Sequence, residues 1–361
     1  MKKLYGVILV VLYVSIVFYL ASTTPITPHE AKIFYQQDTL LSYLMHFGYD
    51  ISPTFLGMRI VFVLFGLLSI YLYYLFAKEY FKENSKAIKS TSIFMLLPGV
   101  LTASIIANIS IIVISFVLIF FICYLRKNYI LMILPLLGLF FVHEASIIFF
   151  IAIFLYALNY KDKVLAISSG IFLASFVYLA KGIDISGRPS GHFMDIFGLY
   201  ASIFSPLLFL YFVFVMYRIL LREKKDIIWY VSFVALIVSF ILSIRQKVHI
   251  TDFAPYVSIS IVLMVALFDK TLKVRLPQFQ KKYKLAQKVV LVSLFITFIF
   301  ISANKLIFDM LHNKSEHFAY KTYYPYITSI SLHKQDQKCI NNMQDKYKYQ
   351  YLFYGITKCH K

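Results

Sequence analysis

The chain has 361 residues, of which 60% are hydrophobic and only 15% charged, with 36 Phe, 29 Tyr and a formal net charge of +19. Soluble domains run nearer to roughly 45–50% apolar and about 25% charged. Uncharged runs long enough to cross a bilayer as helices, about 20 residues each, recur along most of the sequence. They exclude a soluble enzyme, a disordered chain and a nucleic-acid binder, and a membrane β-barrel would alternate instead of running solidly apolar.

In chain order the apolar runs predict an all-α polytopic protein with about eleven spans, at 4–22, 57–77, 90–107, 108–125, 129–142, 146–159, 164–180, 197–217, 227–244, 250–268 and 288–306. The first is long for a signal peptide and lacks a clear small-x-small cleavage site, so it reads as a retained anchor. Residues 90–125 are too long for one crossing at about 1.5 Å per residue, and Pro98, Ser104 and Asn108 mark a turn within them. Residues 129–159 are either one tilted helix or a hairpin reversing at His143 and Glu144.

Charge decides for the hairpin. With the N-terminus inside, 21 Lys and Arg fall on the inner side and six on the outer before the tail, as the positive-inside rule requires. A single span at 129–159 would put three later basic loops outside. The hairpin topology also places all nine histidines on the outer side, either by drift in a small sample or because a polar site faces outward. The expected location is a bacterial-type inner (plasma) membrane, with a cytoplasmic N-terminus and a C-terminus on the outer or periplasmic side. Residues 1–306 form the transmembrane domain, and 307–361 a small, polar, Tyr-rich outer tail. Cys339 and Cys359 in that tail would close a loop of about 20 residues, worth ~3 kcal/mol if oxidised, or they are two free thiols.

The first outer loop, 23–56, is patterned. Thr27-Pro28-His29-Glu30 reads as a helix start, with Thr as N-cap, Pro in the first turn and Glu closing a capping box. Ile33, Phe34, Leu40, Leu41, Leu44 and Met45 follow at helical spacing until Gly48, predicting one amphipathic surface helix over 28–47. Glu30 either caps this helix only or is also a carboxylate at the mouth of a membrane cavity.

Further along, Glu144 is an acid in an otherwise apolar hairpin with His143 beside it, and such acids face a partner or a cavity. Arg245, Lys247 and His249 cluster at the end of the ninth span. They are either snorkelling residues or a site for an anionic group such as a phosphate, whose oxygens Arg binds bidentately. Arg188 lies in a Ser-Gly-Arg-Pro-Ser-Gly-His turn, and Asp252 follows the basic cluster.

The first span, the Thr-Pro-His-Glu loop opening on an amphipathic helix, Pro53 and Arg59 leading the second span, the Leu-Leu-Pro turn at 96–98 and the Asp-Phe-Ala-Pro-Tyr run at 252–256 resemble the GT-C superfamily of membrane glycosyltransferases. The branch that takes sugars from polyprenyl phosphates (protein O-mannosyltransferases and aminoarabinose transferases) is the most similar. The pattern departs in two places. The family's paired acids are His29-Glu30 here, and Asn108 stands where a second outer acid is common.

The resemblance implies transfer of a sugar from a polyprenyl-phosphate donor to a hydroxyl of a glycan, lipid or protein acceptor, with inversion, among membrane lipids. Glu30 or Asp38 would be the base; Arg245, Lys247, His249, Arg59 and Arg188 would hold the donor phosphate; His29, His143, Glu144 and Asp252 would line the acceptor cavity. The cofactor requirement is none or one divalent cation. Two other classes fit the composition: another lipid-linked glycan enzyme of the O-antigen polymerase or ligase kind, and a non-enzymatic transporter or flippase.

Overall fold

The computed structural model describes residues 2–36, 39–179, 192–341 and 343–359, so Asp38 and Arg188 lie outside the described residues. The chain opens with α1 (Lys2–Thr23), α2 (Pro28–Gln36), α3 (Leu40–Ile51) and α4 (Phe55–Phe81). The predicted single surface helix is therefore two helices. The reason is Thr39, whose backbone is extended and whose Oγ1 accepts the Ser42 N–H at 3.3 Å, starting α3 afresh. Gly48 does not end the run. It is buried within α3, where a Cβ would stand 2.2 Å from Gly57 O, and a Cβ on Gly57 would stand 1.8 Å from Ser52 O. Only residues without side chains let α3 and the start of α4 touch backbone to backbone.

Next come α5 (Asn84–Met95) and α6 (Pro98–Ile105), bent by 61° at the break before Pro98. Proline lacks the N–H that would continue the ladder and disfavours helix in the residue before it. Then α7 (Ile109–Leu125), α8 (Tyr129–Val142), α9 (Ile147–Tyr160) and α10 (Lys163–Tyr178) run as short apolar helices. The hairpin reading of 129–159 holds: α8 ends at His143, a 3₁₀ turn spans Glu144–Ser146, and α9 returns so that Tyr156 OH lies 3.3 Å from Tyr124 OH at the end of α7. Lys127 and Lys161 take left-handed backbone at the opposite turns, where Asn128 and Asp162 cap the helices that follow.

The predicted span 197–217 is not straight. It is α11 (Phe193–Phe204) and α12 (Pro206–Arg222), meeting at 107°. Ser205 has φ +87° and Pro206 begins the new helix, so the ladder cannot pass between them. After α13 (Ile227–Arg245), the predicted span 250–268 resolves into a 3₁₀ turn at Ile250–Asp252, α14 (Ala254–Ser258) and α15 (Ile261–Val274). The last predicted span begins earlier than the apolar run, as α16 (Pro277–Ser302), so Lys281, Lys282, Lys284 and Lys288 ride on the helix. It is followed by α17 (Asn304–Met310), α18 (Tyr320–Lys334), α19 (Lys348–Phe353) and a two-residue parallel pair, β1 (Cys339–Ile340) with β2 (Thr357–Lys358).

Among the described residues three helices (α4, α13 and α16) are long and apolar enough to cross a membrane alone. Three bent pairs also qualify if each pair is one span, beside the four shorter apolar helices. The protein is all-α and multi-pass. α16 shows how lipid acts as its solvent: Val289, Val292, Phe295, Ile296, Ile299 and Phe300 are all exposed, a face that water would not tolerate on a lone helix.

Two compact units emerge. One contains residues 1–64, 104–108 and 299–361, and the other 65–103 and 109–298. In the first, the tail packs onto the N-terminal loop instead of standing apart. Phe353 meets Phe34, Tyr49 and Phe55, and a small core forms from Tyr347, Tyr351 and Ile356. Cys339 and Cys359 are bridged. Replacing both by serine should cost about 3 kcal/mol by the chain-entropy argument. The expected readout is faster proteolysis of the tail in detergent, and unchanged cleavage would show that the bridge constrains nothing. In the second unit α7 is buried almost all round, with Phe120 and Phe121 against Phe149 of α9.

Candidate functional site

Two groups of the residues marked in the sequence are drawn together, one in each unit. In the first unit Thr27 starts α2 as a reciprocal capping box: its Oγ1 accepts the Glu30 N–H at 3.2 Å, and the Thr27 N–H donates to Glu30 Oε2 at 2.9 Å. Glu30 does more than cap. Arg59 of α4 grips it bidentately, Nε to Oε1 at 2.8 Å and Nη2 to Oε2 at 2.7 Å, and the Ala107 N–H donates to Oε1 at 2.8 Å. Arg59 spends its remaining N–H groups on the carbonyls of Ala21, Thr24 and Pro25.

The pair is fully satisfied. A guanidinium has five N–H donors and a carboxylate about four acceptor positions, and every one of them is engaged here. Both residues are 0% exposed. Burial alone would push the Glu30 carboxyl up, but the Arg59 charge and the N–H groups of Arg59, Thr27 and Ala107 outweigh it and hold it below the usual glutamate range. The pair ties the end of α1, the link to α2, α4 and the 104–108 segment into one knot. As the structure stands, this geometry offers neither Glu30 as a free proton acceptor nor Arg59 as a clamp on a donor phosphate. The pairing had one sequence clue. A single arginine inside an apolar span needs a carboxylate partner, and Glu30 is an acid in the loop just before it.

His29, beside Glu30, is exposed on α2 and faces a groove with Lys32. His46, which was not singled out as a site residue, lies against Phe34 and its Nε2 is 2.9 Å from Phe34 O, so it joins α3 to α2.

In the second unit the turn after α8 meets the turn after α13. His143 Nε2 is 3.2 Å from Asp252 Oδ1, and Thr251 Oγ1 donates to the same carboxylate oxygen at 3.4 Å. Both partners are about one-fifth exposed, reachable yet held. The clamp beneath them is polar and buried: Tyr256 OH donates to Ser146 Oγ at 3.2 Å, and Ser232 Oγ donates to Tyr256 O at 2.9 Å. The Tyr256 ring stacks on Phe149, with centroids 5.9 Å apart. Sequence reading placed His143 and Asp252 on one cavity wall but did not pair them across 109 residues. The supporting Ser146, Ser232 and Tyr256 were missed, because a serine in an apolar helix usually bonds its own backbone and leaves no mark in the pattern.

Arg245 closes α13, and Lys247 and His249 follow on extended chain with Val248 buried between them. That alternation turns Lys247 and His249 outward together, and Arg245 is exposed as well. Glu144 is exposed in its 3₁₀ turn. Among the described residues no three His, Cys, Asp or Glu side chains converge as metal ligands would.

Chemically, the second group offers an imidazole whose ring is oriented by a carboxylate, which suits proton transfer. It also offers exposed cations on the segment that leads into that carboxylate, which suit an anionic leaving group.

The chain shares its fold with ArnT of Cupriavidus metallidurans. The apo crystal structure of ArnT matches with a TM-score of 0.53 at 12% sequence identity, covering 98% of this chain and 76% of that one. The crystal structure of ArnT bound to undecaprenyl phosphate matches with a TM-score of 0.52 at the same identity and coverage. No protein-family model and no curated protein matches the sequence.

Proposed function

We propose that this protein is a membrane glycosyltransferase that moves a sugar from a polyprenyl-phosphate donor to a hydroxyl of a glycan, lipid or protein at the outer face of the membrane. The observation that carries this reading is the likeness along nearly the whole chain to a fold that, in ArnT, holds undecaprenyl phosphate. In the reaction the acceptor oxygen attacks the anomeric carbon as the bond to the phosphate oxygen breaks, and a single displacement inverts that carbon. The phosphate departs as a stable anion, so the chemistry asks for charge neutralisation at the leaving group and a base at the acceptor.

His143 takes the proton from the acceptor hydroxyl, and Asp252 stabilises the imidazolium that forms. Arg245 and Lys247, with His249, neutralise the departing phosphate. The inward-facing basic loops set the orientation, with the N-terminus in the cytoplasm.

Purified protein in liposomes carrying undecaprenyl-phosphate-linked sugar, with a membrane extract as acceptor, should release undecaprenyl phosphate in step with sugar transfer. Absence of protein-dependent release across pentose and hexose donors would remove the transferase reading. The double change Arg245→Gln/Lys247→Gln should raise the donor KM by about tenfold or more, since hydrogen bonds to a charged group are worth about 1.5–3 kcal/mol, and should leave the acceptor KM nearly unmoved.

A further inference from the structure

Within the first unit a groove of about 460 Å³ lies between α2 and α19. Helical spacing puts His29 and Lys32 on one wall, and the turn into α19 puts Asp345, Lys346, Tyr349 and Gln350 on the other. The two walls are fixed to one another. Gln350 Nε2 donates to Ile26 O at 2.9 Å, just ahead of α2, and to Lys321 O at 3.1 Å. Tyr349 stacks on Tyr35 with centroids 6.5 Å apart, and the Cys339–Cys359 bridge closes the loop that carries α19. A site braced in this way is formed before any ligand arrives, which lowers the ordering cost of binding.

Its chemistry is specific. Gln350 is 1% exposed, with its amide N–H groups committed to backbone, so it braces the floor of the groove. Asp345 offers acceptors for ligand hydroxyls, and the half-buried Tyr349 ring offers an apolar face. Lys32 and Lys346 are exposed cations on opposite walls. Hydroxyl donors, a flat apolar face and negative charge together describe a carbohydrate with an acidic substituent, and the volume falls within the range of about 300–1,000 Å³ usual for small-molecule sites.

We propose that this groove binds an anionic saccharide. Uronic acids and sugar phosphates share the required chemistry. The test is saturation-transfer NMR on the full chain in nanodiscs with three probes: glucuronate, glucose 1-phosphate and glucose. One or both anionic probes should bind at least tenfold more tightly than glucose, and whichever prevails identifies a carboxylate or a phosphate as the natural group. Lys32→Gln/Lys346→Gln should remove that preference without shifting the melting temperature, and Tyr349→Ala should weaken all three probes.

No binding by any probe, or an unchanged preference in the lysine double variant, overturns the proposal.

Discussion

Glu30→Ala or Glu30→Gln is expected to deplete folded protein from the membrane instead of yielding a stable, inactive one. Either change leaves the Arg59 guanidinium at 0% exposure without its counter-charge, and breaking a buried pair from one side costs about 3–5 kcal/mol. A whole domain is stable by about 5–15 kcal/mol, so that loss is decisive. Arg59→Leu should be comparably severe, because Glu30 would then keep only the N–H groups of Thr27 and Ala107. The combined Glu30→Leu/Arg59→Met variant should recover much of the melting temperature, since apolar replacement of both partners leaves no orphan charge. Detergent-phase thermal unfolding of the four proteins checks this. Normal stability of Glu30→Gln with loss of transfer would instead return Glu30 to the chemistry.

The same pair fixes a pH dependence. The folded-state pKa of Glu30 lies below its ordinary value, so its contribution is complete above the unfolded glutamate pKa of about 4.3. It disappears as the pH falls through the lower folded value. Wild-type protein should therefore lose melting temperature below about pH 4 more steeply than the Glu30→Leu/Arg59→Met variant. Equal slopes would mean that the pair contributes no proton-linked stability.

The second large effect concerns the His143–Asp252 pair. His143→Ala should lower kcat by about 10²- to 10⁴-fold, the usual worth of a positioned general base. Asp252→Asn should fall between it and wild type, because the ring keeps a hydrogen-bond partner but loses the charge that stabilises the imidazolium. Both side chains are about one-fifth exposed, so neither change should reduce folded yield, in contrast to Glu30. Retention of full transfer by His143→Ala would end the assignment of the base. An equal loss of melting temperature in both variants would make the pair a structural tie between two turns.

What the sequence made legible was what is local or obeys charge bookkeeping. The reversal at His143 follows from where lysines can sit. The Thr27–Glu30 capping box follows from a three-residue spacing, and the Cys339–Cys359 bridge from two thiols in one polar segment. The hidden parts were of two kinds. Some are single residues whose backbone overrides an apolar run: Thr39 divides the surface helix, and Ser205 turns a predicted span by 107°. Hydropathy averages over such positions and cannot see them. The others are long-range pairings. Glu30 with Arg59 and His143 with Asp252 each join residues that look separately useful, and only the fold decides whether a charge is spent on a neighbour or kept for a substrate.

The attachment of the tail to the first loop bears on how the protein is made. Gln350 reaches back to Ile26 across 324 residues, so the N-terminal loop leaves the ribosome long before its partner exists. At about 5–20 residues per second, the loop around Glu30 waits roughly 16–65 s while every intervening helix is inserted. During that interval the face of Phe34 and Tyr49 that will meet Phe353 stays uncovered. Biogenesis of this chain therefore includes a late clasp, and ribosomes halted before residue 345 would hold a protein whose earlier helices are inserted but whose first loop is still unfastened.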